Sequence, residues 1–213
     1  RVLLGTIATR AAQLDRAIEP ILALFDGHHV RVSVLVRKSK QGADRNRELM
    51  GWRIRTEGKP YKFSIHPSPE EMEKASGPMW IGPLWNGEIC SRLTEDHAVA
   101  TCLARVPDIE RGAKHGLQWS EDDQVYAERE IRRSVRHIAD AAPLLSSEHL
   151  LLPFDLLPRL ADVGSLPTME RLIDALNEAG HQTARVPDLR PFIATHAPFD
   201  TVLEALRSFE STK

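Results

Sequence analysis

The segment Gly77-Pro78-Met79-Trp80-Ile81-Gly82-Pro83-Leu84-Trp85-Asn86-Gly87 constrains this chain more than any other. Proline fixes its own φ and pushes its predecessor out of the helical region. Two Gly-Pro pairs in so short a stretch are neither helix nor ordinary strand. Trp80 and Trp85 sit between these stiff points, and indoles are rarely left fully in water. The segment reads as a structural joint with at least one tryptophan buried, in preference to a rigid platform for a ligand.

Upstream of the joint, Leu3, Leu4, Ile7, Ala8, Ala11, Leu14 and Ile18 recur with a helical period. Residues 2–25 therefore read as helix, broken near Pro20. The chain opens at Arg1 with neither a methionine nor a capping residue, and reads as the middle of a longer protein. Residues 29–37 read as a strand, with Val30, Val32, Val34 and Val36 on one face. A helix leading into a β-branched strand is what the end of an αβ unit looks like. Residues 38–50 suit a short helix or loop. Residues 51–55 and 61–65 suit a hairpin across the turn-like Glu57-Gly58-Lys59-Pro60.

Downstream, a helix is expected over 88–104. A second should begin at Ser120, whose hydroxyl precedes Glu121, Asp122 and Asp123, and run to about Ala141. Arg132, Arg133, Arg136 and His137 would then lie in its last turns. The final third reads as helices 154–162 and 168–179, the second closing at Gly180 in a left-handed cap. Strands 182–186 and 191–195 and a helix over 198–209 complete it. Helix, turn, helix and a two-strand wing make a winged-helix-like end to an α/β chain.

A basic stretch carries the first functional content. Arg31, Arg37, Lys38, Lys40, Arg45, Arg47, Arg53, Arg55, Lys59 and Lys62 are opposed only by Asp44, Glu48 and Glu57. Clustered cations that release counterions from phosphate are the footprint of nucleic-acid binding. Trp52, Tyr61 and Phe63 are interleaved where they can stack on bases. The alternative is a solvated hairpin face with its aromatics in the core. Net charge is −2, so any such surface must be local. Cys90 and Cys102 support neither a disulfide framework nor a zinc site. His28, His29, His115, His137, His149, His181 and His196 are scattered, so no metal is expected. Asp15, Arg16 and Glu19 suit a structural ion pair with Arg31. No apolar run approaches the roughly 20 residues that span a bilayer, and a reducing, cytoplasmic setting fits. A winged helix raises DNA binding, but Glu170, Asp174 and Glu178 make the exposed face of its second helix acidic, which repels phosphate.

Several segments together resemble the tRNA guanine-26 dimethyltransferase family over nearly the whole chain. Arg1-Val2-Leu3-Leu4-Gly5-Thr6-Ile7-Ala8 with Asp15-Arg16-Ala17-Ile18-Glu19-Pro20 is similar to that family's helix leading into its late strands. His29-Val30-Arg31-Val32 resembles the strand that follows, and Gly77 to Leu84 its Gly-Pro-Leu-Trp segment. Ala175 to Gly180 and Thr195-His196-Ala197-Pro198 resemble its closing helix and motif. Residues 38–76 lack the paired cysteines that often hold a metal in the family, so no zinc is carried over. Ala17 stands where the family favours glycine, Ala194 near its lysine, and His196 where it favours an acid or amide.

The resemblance implies an S-adenosylmethionine-dependent enzyme that methylates the exocyclic amine of guanosine 26 in tRNA. Its chemistry is mostly proximity and orientation, on a base that has left its stack. The donor-binding loops and the Asp-Pro-Phe-Gly catalytic segment are expected upstream of Arg1, so no catalytic, cofactor or metal residue is assigned within the chain. Residues 1–40 would be the last helix and strand of a Rossmann-like methyltransferase domain. Residues 41–105 would be the hairpin and joint region, and 106–213 an α+β tRNA-binding domain. The candidate RNA contacts are Arg31, Arg37, Lys38, Arg45, Arg53, Arg55, Lys59 and Lys62. The expected partner is tRNA, with no obligate protein partner. The alternative is a non-catalytic winged-helix nucleic-acid-binding module.

Overall fold

The computed structural model describes residues 1–25, 29–103, 120–187 and 191–210. The chain is mixed α/β, with three small antiparallel sheets among the described residues. Helix α1 (Val2–Ala12) buries Leu4, Ala8 and Ala12, one per turn. It does not continue to residue 25. Asp15 takes a left-handed φ of 52° and turns the chain into strand β1 (Arg16–Phe25). Leu14 and Ile18 extend the helical spacing of α1, but Pro20 cannot donate within a helix and is accommodated at a bulge, where the β1 register shifts between Pro20 and Leu22. Strand β2 (Val30–Lys38) pairs antiparallel with β1. Val32 and Val34 turn towards the core and Val30 and Val36 face solvent, so the expected single apolar face is only half buried.

The outer edge of β1 is closed by groups that are not a strand. Helix α2 (Lys40–Glu48), capped by the Ser39 hydroxyl, presents a buried Asn46. Its amide accepts from Ile18 N at 2.7 Å and donates to Ile18 O at 3.1 Å. Ile21 O accepts from Asn86 N at 3.0 Å and from Cys90 Sγ at 3.1 Å. Ala23 O accepts from the Trp85 indole at 2.9 Å.

Strand β3 (Met50–Ile54) is the centre of the second sheet, flanked by β4 (Lys62–Ser64) and β5 (Ala75–Trp80). The expected hairpin is present, with Arg53 opposite Phe63. Between them and β5, α3 (Pro69–Met72) starts in a capping box of Ser68 and Glu71. The first Gly-Pro pair departs from expectation by lying in a strand. Among the described residues β5 pairs only with β3, and an edge strand tolerates the missing N–H of Pro78. A Cβ on Gly77 would lie 2.8 Å from Gly51 O and 3.0 Å from the Trp52 ring, so this close approach needs glycine.

The two tryptophans belong to two cores. Trp80 packs with Leu4, Ala8 and Ile18, and its indole donates to Pro83 O at 2.8 Å. Trp85 packs with Cys90, Ile138, Ala141, Ala142, Leu144 and Leu145 and against Ala184 and Ala194 of the third sheet. The expected helix 88–104 is two, α4 (Gly87–Ser91) and α5 (Glu95–Leu103), and position 104 lies outside the described residues. Helix α6 (Glu121–Leu145) starts as expected, with Ser120 and Asp123 in a capping box, but runs past Ala141 and carries Pro143 in its last turn. Its arginines are therefore interior to the helix.

Strand β6 (Leu150–Pro153) departs from expectation: it is four residues long and follows α6 after the short turn 146–149. Helices α7 (Leu157–Ala161) and α8 (Met169–Glu178), strands β7 (Thr183–Val186) and β8 (Phe192–Thr195) and helix α9 (Phe199–Glu210) follow. The sheet order is β6-β8-β7. Leu152, Leu157, Leu172, Leu176, Ile193, Val202 and Leu206 form its core. Gly180, at φ 85°, ends α8 as expected: His181 N donates to Leu176 O and Gly180 N to Asn177 O, both at 2.9 Å.

Trp80→Ala and Trp85→Ala should each cost about 3–5 kcal/mol, because each empties a packed site. Chemical denaturation reads this directly, and an unchanged midpoint would return that indole to the surface.

Candidate nucleic-acid interface

The eight candidate cations do not form one patch. Arg31 is paired in register with Leu24, while Arg37 and Lys38 lie opposite Ala17 and Arg16 at the other end of the hairpin. Strand rise separates Arg31 from Arg37 by about 20 Å. Arg45 is exposed on α2, which follows Lys38 directly. Arg53, Arg55, Lys59 and Lys62 belong to the second sheet and its turn.

Within that sheet the two-residue alternation sorts them further. Arg53 shares a face with Phe63, its register partner, and its guanidinium lies 4.3 Å from the Tyr61 ring centroid. Arg55, two residues on, continues that face. Lys62 lies opposite Ile54 and therefore on the other face. Its Nζ donates to Glu71 Oε1 at 2.9 Å, and this bond, with those from Ser68, holds the Glu71 carboxyl below the usual range. Lys59 sits in the turn, where its N–H donates to Thr56 O. Trp52 is half-buried, with its ring close to Gly77, while Tyr61 and Phe63 remain 53% and 37% exposed. The aromatics of the hairpin thus divide between the two readings left open by composition.

Arg1 completes this face. Its guanidinium lies 4.5 Å from the Phe63 centroid and donates to Trp80 O at 3.2 Å and Gly82 O at 3.0 Å. Burial pushes its pKa down to about 10. Its partners are backbone carbonyls far along the chain, which no local pattern announces.

A second basic stripe lies on α6. Arg129, Arg132, Arg133 and Arg136, with Val125 and Glu128, line an open cleft of about 520 Å³. These cations are already matched by carboxylates. Arg132 bonds Asp96 at 2.6 Å and Glu128 at 2.8 Å, Arg136 bonds Glu95 at 3.1 Å, and Arg133 bonds Glu130. The stripe ties α5 to α6. A smaller cleft of about 380 Å³ lies among Glu19, Pro20, Asn46, Trp85, Asn86 and Ser146. There Glu19, expected as an ion-pair partner, accepts from Asn86 Nδ2 at 2.6 Å.

Among the described residues no group of three or more His, Cys, Asp and Glu side chains is placed to hold a metal ion. His28 and His115 lie outside them. Burial pushes the Cys90 thiol up, consistent with its structural bond to Ile21 O.

The family described as N2,N2-dimethylguanosine tRNA methyltransferase matches residues 1–127. The chain belongs to this family. Among curated relatives, the tRNA (guanine(26)-N(2))-dimethyltransferase of Thermoplasma acidophilum is 27% identical over 95% of this chain and 44% of its own length. That of Pyrococcus horikoshii is 26% identical over 97% of this chain and 47% of its own. The chain thus spans about half the length of the curated relatives it matches. The solved structure of Trm1 from Pyrococcus horikoshii with S-adenosyl-L-methionine shares the fold over 96% of this chain and 47% of its own, with a TM-score of 0.68 at 20% identity.

In this member of the dimethylguanosine methyltransferase family, two histidines are held towards their neutral form. Burial, chiefly, lowers the pKa of His149, whose ring contacts Ser147 O at 2.8 Å; burial and the nearby Arg185 and Arg133 lower that of His137. Their folded pKa values lie below the ordinary 6.5, so the stability they carry is present above that value and lost as pH falls through the folded one. Thermal melts at about pH 7.5 and about pH 5 should show a drop that His149→Gln reduces; an equal drop in the variant would remove His149 from this role.

Proposed function

We propose that this chain is the downstream part of an S-adenosylmethionine-dependent tRNA (guanine(26)-N(2))-dimethyltransferase, and that its own contribution is to grip and orient the tRNA. The observation that carries the reading is the family match over residues 1–127. On this reading residues 1–40 close a Rossmann-like catalytic sheet, 41–105 form the joint region, and 106–213 form the α+β tRNA-binding domain. Support comes from the asymmetry of the first hairpin. The outer edge of β1 is capped, whereas β2 pairs with β1 alone among the described residues and leaves Val30, Leu35 and Val36 exposed. An uncovered edge with apolar flanks is what a preceding strand would join.

The donor-binding and catalytic groups belong, on this reading, to the part of the relatives that the chain does not cover. When bound there, S-adenosylmethionine supplies the methyl group. This chain would hold the tRNA so that the guanine amine, with its base out of the stack, meets the sulfonium methyl. Arg37, Lys38, Arg45, Arg53, Arg55 and Lys59 are the cations best placed to meet phosphate; Arg31 lies apart from them, and Lys62 is engaged by Glu71.

The carboxy-terminal order α6-β6-α7-α8-β7-β8, with sheet order β6-β8-β7, suits a winged helix. Glu170, Asp174 and Glu178 are exposed on α8, the helix that would enter a DNA groove, which disfavours the DNA-reading alternative. No helix among the described residues is long and apolar enough to cross a membrane. A cytoplasmic enzyme without a bound metal is the setting proposed.

The chain alone should show no saturable S-adenosylmethionine binding by calorimetry. Joined to its upstream coding sequence, it should methylate a tRNA transcript at guanosine 26, read by nucleoside mass spectrometry, and should leave a transcript with adenosine there unmodified. Micromolar donor binding by the chain alone, or methylation unaffected by that replacement, would sink the reading. Arg53→Ala with Arg55→Ala should also flatten the salt dependence of tRNA binding by about two units. An unchanged slope would make these residues a solvated face.

A further inference from the structure

The β3–β4 hairpin combines two features that are explained separately by nothing else in the fold. Tyr61 and Phe63 are exposed on one face, outside all three cores. Around them stand Arg1, Arg53, Arg55 and Lys59, none of which has a carboxylate partner among the described residues. Several other cations are matched: Arg47 with Asp44, Lys62 with Glu71, Arg185 with Glu170, and Arg132, Arg133 and Arg136 of α6 with Glu95, Asp96, Glu128 and Glu130. Glu57 is the one carboxylate of the turn and pairs with none of them.

Arg53 lies over the Tyr61 ring and Arg1 over the Phe63 ring. A guanidinium against one face of an aromatic ring fixes the ring and leaves the opposite face available. Arg1 is itself anchored by the carbonyls of Trp80 and Gly82, so the far end of the platform is tied to the joint. Flat rings bordered by unmatched cations are complementary to a nucleobase bordered by phosphates. A paired base in an RNA helix hides both its faces, so such a platform takes only an unstacked one.

We infer that Tyr61 and Phe63 form a stacking platform for an unpaired nucleobase of the RNA substrate, with Arg55 and Lys59 holding the adjoining phosphates. The inference rests on the tRNA-binding reading and deepens it: this corner of the chain senses an unstacked nucleotide, while Arg37, Lys38 and Arg45 follow the backbone. Specificity for single-stranded RNA then comes from ring faces, and salt dependence from the flanking cations.

The test uses the full 213-residue chain with two probes, a twelve-nucleotide single-stranded RNA (about one turn of helix in length) and the same strand in a blunt duplex. Tyr61 is more than half exposed, so its removal leaves the fold intact, which circular dichroism checks. Tyr61→Ala should weaken single-strand binding about tenfold with an unchanged salt slope, and Tyr61→Phe should restore it. Arg55→Ala should flatten the slope by about one unit. The wild-type chain should prefer the single strand, and poly-glutamate should not displace it. Equal affinity of Tyr61→Ala and wild type, equal affinity for the duplex, or displacement by poly-glutamate would each overturn the platform while the tRNA reading stands. A chain that binds neither RNA would overturn both.

Discussion

The outer edge of β1 is satisfied by a carboxamide, an indole, a thiol and one loop amide, and the rest of the molecule is arranged to deliver them. Asn46 requires α2 to lie beside β1, which the capped start at Ser39 permits. Trp85, Asn86 and Cys90 require the chain to return past β1 after the second sheet. The stiff Gly77–Gly87 segment aims it there. A buried carbonyl left unbonded costs about 1–3 kcal/mol, so these contacts are obligatory once the edge is covered. Trp85 then does two things at once: its nitrogen closes β1 while its ring fills the core shared by α6 and the third sheet. The joint is thus an energetic link between the first hairpin and the carboxy-terminal body.

Much of this was legible locally. The hairpin, the hydroxyl cap at Ser120 and the glycine cap at position 180 are short-range patterns, and the chain obeys them. Spacing alone overextends the first helix because Leu14 and Ile18 keep its period, while the residue that turns the chain into β1, Asp15, gives no signal except a backbone angle. β6 is too short to register against the helix before it. Pro78 argued against a strand because sequence does not tell an edge position from a central one.

The cationic surface shows where linear reading stops. Arg53, Arg55, Lys59 and Lys62 look like one cluster in sequence, yet strand alternation turns Lys62 to the opposite face, where Glu71 claims it. The α6 arginines look equally basic, but their acids arrive partly from α5, more than thirty positions upstream. Whether a cation is available is a tertiary property. So is the role of Arg1, whose partners are carbonyls of the joint.

Matched and unmatched charges are unevenly spread over the molecule. With a net charge of −2, the protein has little attraction for a polyanion at long range. Arg53, Arg55 and Lys59, without a carboxylate partner among the described residues, lie on the second sheet and its turn, whereas the exposed Asp174 and Glu178, and Glu170, which Arg185 meets at 3.8 Å, lie on a helix that packs against the third. On the proposed reading, an approaching phosphate chain would meet unmatched cations on the second sheet and exposed acids on α8. Orientation on arrival would then be settled by charge that is unevenly placed, not by charge in excess.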